Sequence, residues 1–244
     1  MTATWEEAGW EQVAAGVGRC RLPVWDCTAG LVLGAGTTLM VDSGSSLAEG
    51  ARLRTRAEER AGHRVTHLAL THPHFDHVFG AASFTGAEVY AAAGTDAVFT
   101  RFTRERDALR RDAVGNGLDA GLAAEATDAL AVPRQSVRGE RTLDLGGGRT
   151  AVLAVVGPGH TAHDLAVLVP GDPAVVFCGD LVEESGEPQA GPDAVPARWP
   201  AALDRLLALG GADARYVPGH GAVVDAAFVR AQRDALAARF GGSG

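Results

Sequence analysis

Thr71-His72-Pro73-His74-Phe75-Asp76-His77 follows directly on the apolar run from Val65 to Leu70 and sets three imidazoles and a carboxylate within a short turn. Burying such a group costs several kcal/mol unless something satisfies it, and a divalent cation does. At an extended strand end His72 and His74 point the same way, so both can hold one ion. Asp76 and His77 come after the chain turns toward a helix, within reach of a second ion. Zinc in tetrahedral or five-coordinate geometry needs more protein donors than this segment offers each ion, so others must come from the ends of other strands. Three candidates fit: His160 in Gly157-Pro158-Gly159-His160-Thr161, Asp180 in Cys178-Gly179-Asp180, and His220 in Pro218-Gly219-His220-Gly221. Each is expected where a strand meets a loop, beside glycine, where the backbone can turn sharply and aim a side chain into a cleft.

The rest of the chain reads as a scaffold for those junctions. Apolar runs of strand length recur at Gly30–Leu33, Thr38–Val41, Val65–Leu70, Glu88–Ala92, Thr150–Val156, Leu165–Val169 and Ala174–Cys178. Near-continuous runs such as Ala151-Val152-Leu153-Ala154-Val155-Val156 are what a sheet covered on both faces requires. Ser46 to Ala61, opened by cap-forming serines and bounded by Gly62, predicts an amphipathic helix. Residues 95–130 predict two helices joined at Gly115-Asn116-Gly117. Further helices are expected over Arg198–Leu209 and Ala226–Phe240. Hairpins in both halves followed by helices predict an α/β fold of two stacked sheets with helices outside, a four-layer αββα sandwich. We expect one domain over residues 1–244, with a helical insert at about 95–130 and a flap loop at about 184–200.

Composition narrows the partners. The 244 residues are 46% hydrophobic and 21% charged, as in soluble globular proteins. All 22 basic residues are arginine, against 30 acids, for a formal charge of −8. A lysine-free acidic chain lacks Schiff-base chemistry and is a poor match to nucleic acid or anionic lipid, so neither is an expected partner. The amino-terminal residues carry Glu6 and Glu7 where a secretory signal carries bases, and cytoplasmic residence is expected. Cys20, Cys27 and Cys178 are odd in number and widely spaced, and are read as packed thiols.

From about residue 24 to 224 the ordered set resembles the metallo-β-lactamase-fold hydrolases. That resemblance implies the same four-layer sandwich and assigns roles. His72, His74 and His160 would bind a first metal, Asp76, His77 and His220 a second, and Asp180 would bridge them. Asp42, in Val41-Asp42-Ser43-Gly44, would support a ligand from behind, a role that orients imidazoles and raises their basicity, or else cap a turn. The expected cofactors are two Zn2+ per chain, with iron or manganese as substitutes. A metal-bridging hydroxide would attack, and Asp76 or a metal-bound water would protonate the leaving group, which makes Asp76 and Asp180 the catalytic carboxylates.

Asp180 separates the chain from the true β-lactamases, which place other residues there or lack a bridging carboxylate. His74 separates it from the oxygen-reducing diiron branch, which carries Glu at that place. The motif is similar to that of glyoxalase II, although residues 221–244 are too few for the glutathione-binding helical domain of that family. The expected activity is therefore hydrolysis of a small ester, thioester, lactone or related carbonyl compound. A mononuclear non-haem iron sulfur dioxygenase and a metal-dependent nuclease are the alternatives.

Several side chains carry no assigned chemistry. His63 and His67 are expected to be structural, and His163 to hydrogen-bond a neighbour or touch substrate. Arg101, Arg104, Arg106, Arg110 and Arg111, interleaved with acids, read as a solvated helix rather than an anion-binding lid. Trp199, beside the flap, is the favoured aromatic wall of a substrate pocket, ahead of Trp25, Phe75 and Phe79. Oligomeric state is not legible in the sequence.

Overall fold

The apolar runs pair into two sheets. A computed structural model of the chain describes residues 2–100 and 104–241. The first sheet holds β1 (Glu11–Ala14), β2 (Val17–Arg21), β3 (Thr28–Leu33), β4 (Thr38–Val41), β5 (His67–Ala69), β6 (Glu88–Ala92) and β7 (Gln135–Val137), side by side in chain order. Its first four strands pair antiparallel, and β4 to β7 pair parallel. The second contains β8 (Glu140–Gly146), β9 (Arg149–Val155), β10 (Leu165–Val169), β11 (Val175–Glu183) and β12 (Arg215–His220), ordered β12-β11-β10-β9-β8. Only β11 and β12 are parallel in that sheet.

Parallel neighbours need long crossovers, and these supply helices. In chain order the helices are α1 (Leu47–Ala61), α2 (Phe75–Val78), α3 (Thr95–Phe99), α4 (Arg104–Gly115), α5 (Ala120–Asp128), α6 (Trp199–Gly210) and α7 (Ala226–Phe240). Helix α1 links β4 to β5, α3 to α5 link β6 to β7, and α6 links β11 to β12. Ser46 caps α1, its hydroxyl accepting from the Glu49 N–H at 3.2 Å.

Three apolar layers result. Val32, Leu39, Leu153, Val167 and Phe177 fill the space between the sheets. Here β3 runs so close to Phe177 that a Cβ on Gly30 would lie 2.4 Å from its ring. Leu31, Met40 and Leu68 face outward under Leu53 and Ala57 of α1, and Val176 and Tyr216 face outward under Trp199, Leu203 and Val229. The architecture is the four-layer αββα sandwich.

Differences from the sequence expectation are local. The hairpin β1–β2 and the strands β7, β8 and β12 carry no long apolar run; in β8 only Leu143 and Leu145 are buried. The strand expected over Ala174–Cys178 continues to Glu183, so Asp180 lies inside β11 at an irregularity of its pairing with β12 rather than after its end. The insert forms three helices instead of two, with the expected turn between α4 and α5. Arg104, Arg110 and Arg111 are exposed as anticipated, but Arg106 is buried and donates to the Thr127 carbonyl, tying α4 to α5. Arg101 lies outside the described residues.

Candidate metal centre

The local fold of the His-rich turn follows from its sequence. Leu70 still donates to the Tyr90 carbonyl (2.9 Å), so β5 is held to β6 up to the turn. Pro73 biases His72 away from helical backbone, and the chain stays extended through His74 (φ −101, ψ 150) before α2 begins. Phe75 then packs edge-on against Trp25, with ring centroids 5.1 Å apart. With Phe75 so placed on the first turn, Asp76 and His77 face the interior and are buried.

Four of the five rings have one nitrogen held from behind while the other faces the cleft. Thr71 gives its hydroxyl proton to Asp42 Oδ2 (2.7 Å), so its oxygen can accept from His72 Nδ1 (3.0 Å), which leaves His72 Nε2 as the free lone pair. Asp42 also accepts from the Thr71 N–H (2.8 Å) and from His77 Nδ1 (2.8 Å). His220 Nδ1 donates to the Trp25 carbonyl at 2.7 Å. His74 is turned the other way: its Nε2 lies 3.1 Å from Asp193 Oδ2, and its Nδ1 lies 3.0 Å from His160 Nε2.

The inward nitrogens gather around Asp180. Its Oδ2 lies 3.6 Å from His72 Nε2, 3.6 Å from His160 Nε2 and 3.2 Å from His220 Nε2, and its Oδ1 lies 3.1 Å from His77 Nε2. Asp76 Oδ2 is 3.3 Å from His220 Nε2 and 3.6 Å from His77 Nε2. A Cβ at residue 219 would sit 1.8 Å from Asp180 Oδ1, so glycine alone lets β12 pass that carboxylate. All seven side chains singled out in the sequence thus meet in one cleft, with Asp42 behind Thr71 and His77 and not at a helix cap.

This donor set fits divalent metal. His72, His74, His160 and Asp180 each present an atom within 4.8 Å of the others', as do His77, Asp180 and His220. The buried His72 Nε2 has no hydrogen-bond partner, an arrangement that is costly without a ligand. Burial, then neighbouring rings, depress the pKa of His72 and bring that of His160 to about 4, so both are neutral donors at physiological pH. Burial works against charge on His220 as well, yet Asp180 and Asp76 push it to about 12. The same carboxylates help to raise His77 against its burial, and the rings in return hold Asp180 well below the usual carboxylate range. Positive charge is favoured between these carboxylates, and a metal ion arriving there would release protons.

A family model described as the metallo-beta-lactamase superfamily matches residues 22–220. The chain belongs to that superfamily. Two proteins named hydroxyacylglutathione hydrolase are among its relatives. The one from Nitrosococcus oceani is 30% identical over 162 residues, covering 66% of this chain and 51% of the relative. The one from Acidiphilium cryptum is 32% identical over 184 residues, covering 75% and 60% respectively. The matches therefore span between half and two thirds of those relatives' length. Among solved structures, the metallo-beta-lactamase from Pontibacter korlensis aligns with a TM-score of 0.70 at 20% identity, over 92% of this chain and 98% of that one. The Hirschia baltica metallo-beta-lactamase aligns at 0.65 and 16%, over 93% and 96%. At these identities the structural likeness concerns the fold.

Within this metallo-β-lactamase-superfamily chain, some contributors have no sequence signal. Asp193, on the flap, holds His74. Cys27 Sγ lies 3.7 Å from His77 Nδ1 and groups with Asp76 and His77 as a further potential donor, its thiol pushed up to about 12 by burial. Trp25 walls the cleft, whereas the favoured Trp199 does not: it is fully buried, donates to the Leu181 carbonyl (3.0 Å) and packs edge-on against His160 at 5.2 Å. His163 Nδ1 lies 3.1 Å from the Ala93 carbonyl. His67 stacks on Tyr90 at 5.8 Å, and His63 Nδ1 lies 3.1 Å from the Arg64 carbonyl, both away from the cleft.

Proposed function

We propose that the chain is a dinuclear zinc-dependent hydrolase acting on a small ester, thioester, lactone or related carbonyl compound. One observation carries this reading: five imidazoles turn nitrogens toward one another and toward Asp180, and four of them are held in that orientation from behind. His72, His74 and His160 would hold one ion and Asp76, His77 and His220 the other, with Asp180 shared. Bound ions would supply a water acidic enough to attack near neutral pH and a Lewis acid for the carbonyl oxygen.

The chain's own groups do the rest. Asp42, Asp193 and the Trp25 carbonyl fix the tautomer and direction of His77, His74 and His220. Asp180 is placed beside rings of both groups. Asp76, at the cleft wall, would take the proton released by the attacking water and pass it to the departing alcohol or thiol. The hydroxyacylglutathione hydrolases named among the relatives favour a thioester within this range. We take the partner to be a small molecule rather than nucleic acid or membrane, in keeping with the charge of −8. Among the described residues no helix is long and apolar enough to cross a membrane. Cytoplasmic residence belongs to the same proposal, in line with three buried, unpaired cysteines.

The test is metal content together with a panel of carbonyl substrates. Zinc-loaded protein should bind about two ions per chain and hydrolyse members of the panel, with His74→Ala and Asp180→Ala losing both properties. One iron per chain with oxygen uptake, or variants that lose metal yet hydrolyse unchanged, would overturn the proposal.

A further inference from the structure

The cleft has two lobes that meet at His74, Asp112 and Gly191. The first, of about 460 Å³, lies over His160, Asp180 and His220 and is walled by Trp25, Asn116 and the start of the flap. The second, of about 370 Å³, runs from His74 past Thr161 and His163 beneath α4. Both have the size of small-molecule sites. Their walls differ in chemistry. Pro73, Val98, Ala108, Leu109, Ala162 and Pro192 give the second lobe a largely carbon surface, with Glu105, Asp112 and Asp193 as its carboxylates. The first carries Asp112, Glu183 and Glu187 in addition to Asp76 and Asp180. Among the described residues lining either lobe there is no arginine, and the chain has no lysine.

An anionic substrate entering this cleft meets carboxylates beyond those proposed to hold metal, and apart from the imidazoles proposed to hold metal no described lining residue is an arginine or lysine that could receive its charge. Like-charge juxtaposition of this kind excludes wrong ligands more strongly than matched charges improve right ones. The apolar lobe rewards hydrocarbon instead, by about four-fold in affinity per methylene taken out of water.

We propose that the cleft selects esters and thioesters that join a medium-length apolar acyl chain, seated in the second lobe, to a leaving group without negative charge in the first. Glutathione-type thioesters, with their carboxylates, are turned away. The inference rests on the hydrolase reading above and specifies its substrate. In the reaction, the oxygen of water bonds to the acyl carbon, the carbon–oxygen or carbon–sulfur bond breaks, and the leaving group departs with a proton, giving a carboxylic acid and an alcohol or thiol.

Two measurements separate this inference from the one beneath it. In calorimetry on metal-free and zinc-loaded protein, hexyltrimethylammonium should bind at least about ten-fold more tightly than hexyl sulfate. The D112N/E187Q double variant should narrow that ratio several-fold. Ala108 is exposed on α4, so Ala108→Trp should fold; it should weaken hexyltrimethylammonium while leaving tetramethylammonium unchanged. In kinetics, hexanoylthiocholine should exceed S-lactoylglutathione in kcat/KM. Tighter binding of hexyl sulfate by both forms, or faster turnover of S-lactoylglutathione, overturns the inference and leaves the hydrolase reading standing. The ligand preference without hydrolysis of any ester supports the selectivity and counts against the hydrolase reading.

Discussion

His77 and His74 stand three residues apart in one turn, yet the cleft holds them by opposite means. His77 is fully buried and anchored by Asp42, itself 2% exposed. The Asp42 carboxylate also accepts the Thr71 N–H and hydroxyl, while Ser43 donates from its backbone and its hydroxyl to the His77 carbonyl, both at 2.8 Å. That side is clasped by backbone. His74 is anchored by Asp193, whose side chain is 50% exposed and sits on the flap. The contrast teaches that one half of the candidate metal site is built with the core, whereas the other depends on where a surface loop lies.

Substitutions should expose that asymmetry. The largest effect is expected from Asp42→Ala, which leaves the buried Thr71 N–H without its acceptor and His77 Nδ1 without its anchor. Loss of about 2–5 kcal/mol in denaturant unfolding should accompany about 10–100-fold weaker metal binding. Wild-type stability in Asp42→Ala would contradict the clasp. Chelating the metal comes next: wild-type protein should lose about 2.7 kcal/mol relative to protein held at a hundred-fold excess of metal over its Kd. Amide hydrogen exchange after chelation should rise in residues 184–200 more than in β4 and β5.

A second buried carboxylate, Asp164, is as enclosed as Asp42. Asp164 Oδ1 accepts from the Thr161 N–H (2.9 Å) and hydroxyl (2.7 Å), but its Oδ2 is buried without a hydrogen-bond partner. Burial raises it from 3.8 to about 7. The folded state therefore holds this proton more tightly than the unfolded chain does. The stability so contributed is complete below about pH 3.8 and is lost as pH rises through about 7. Between pH 6 and 8 the wild type should lose about 1 kcal/mol that Asp164→Asn does not, as read from unfolding midpoints at each pH. Parallel pH profiles would remove Asp164 as the cause. The smallest change in stability is expected from Asp193→Ala, within about 0.5 kcal/mol, with metal affinity falling about 10-fold. A destabilisation matching that of Asp42→Ala would show the two anchors to be alike.

The apolar approach through β5 and the donors from His72 to His77 were legible because residues adjacent in sequence share one turn, and strand geometry alone fixes how His72 and His74 relate. The sandwich was legible because β4, β6, β9 and β10 are apolar enough to demand cover on both faces. Weakly apolar β8 and β1 were not, since about half of an edge strand's side chains face water, and β2, although buried from Val17 to Cys20, carries Gly18 and Arg19 in place of an apolar run. Asp180 was found as a residue but misplaced in its element: β11 runs on past Gly179 because β12 pairs with it as far as Glu183.

By itself the sequence determined the chemistry available: which nitrogens and carboxylates exist, that lysine does not, and which segments must be covered. Tertiary structure alone decided how those groups are aimed and what surrounds them. Asp193 reaches His74 across 119 positions, and the Trp25 carbonyl reaches His220 across 195. Contacts of that span depend on how two sheets stack and where a loop returns, and no local pattern of residue types encodes them.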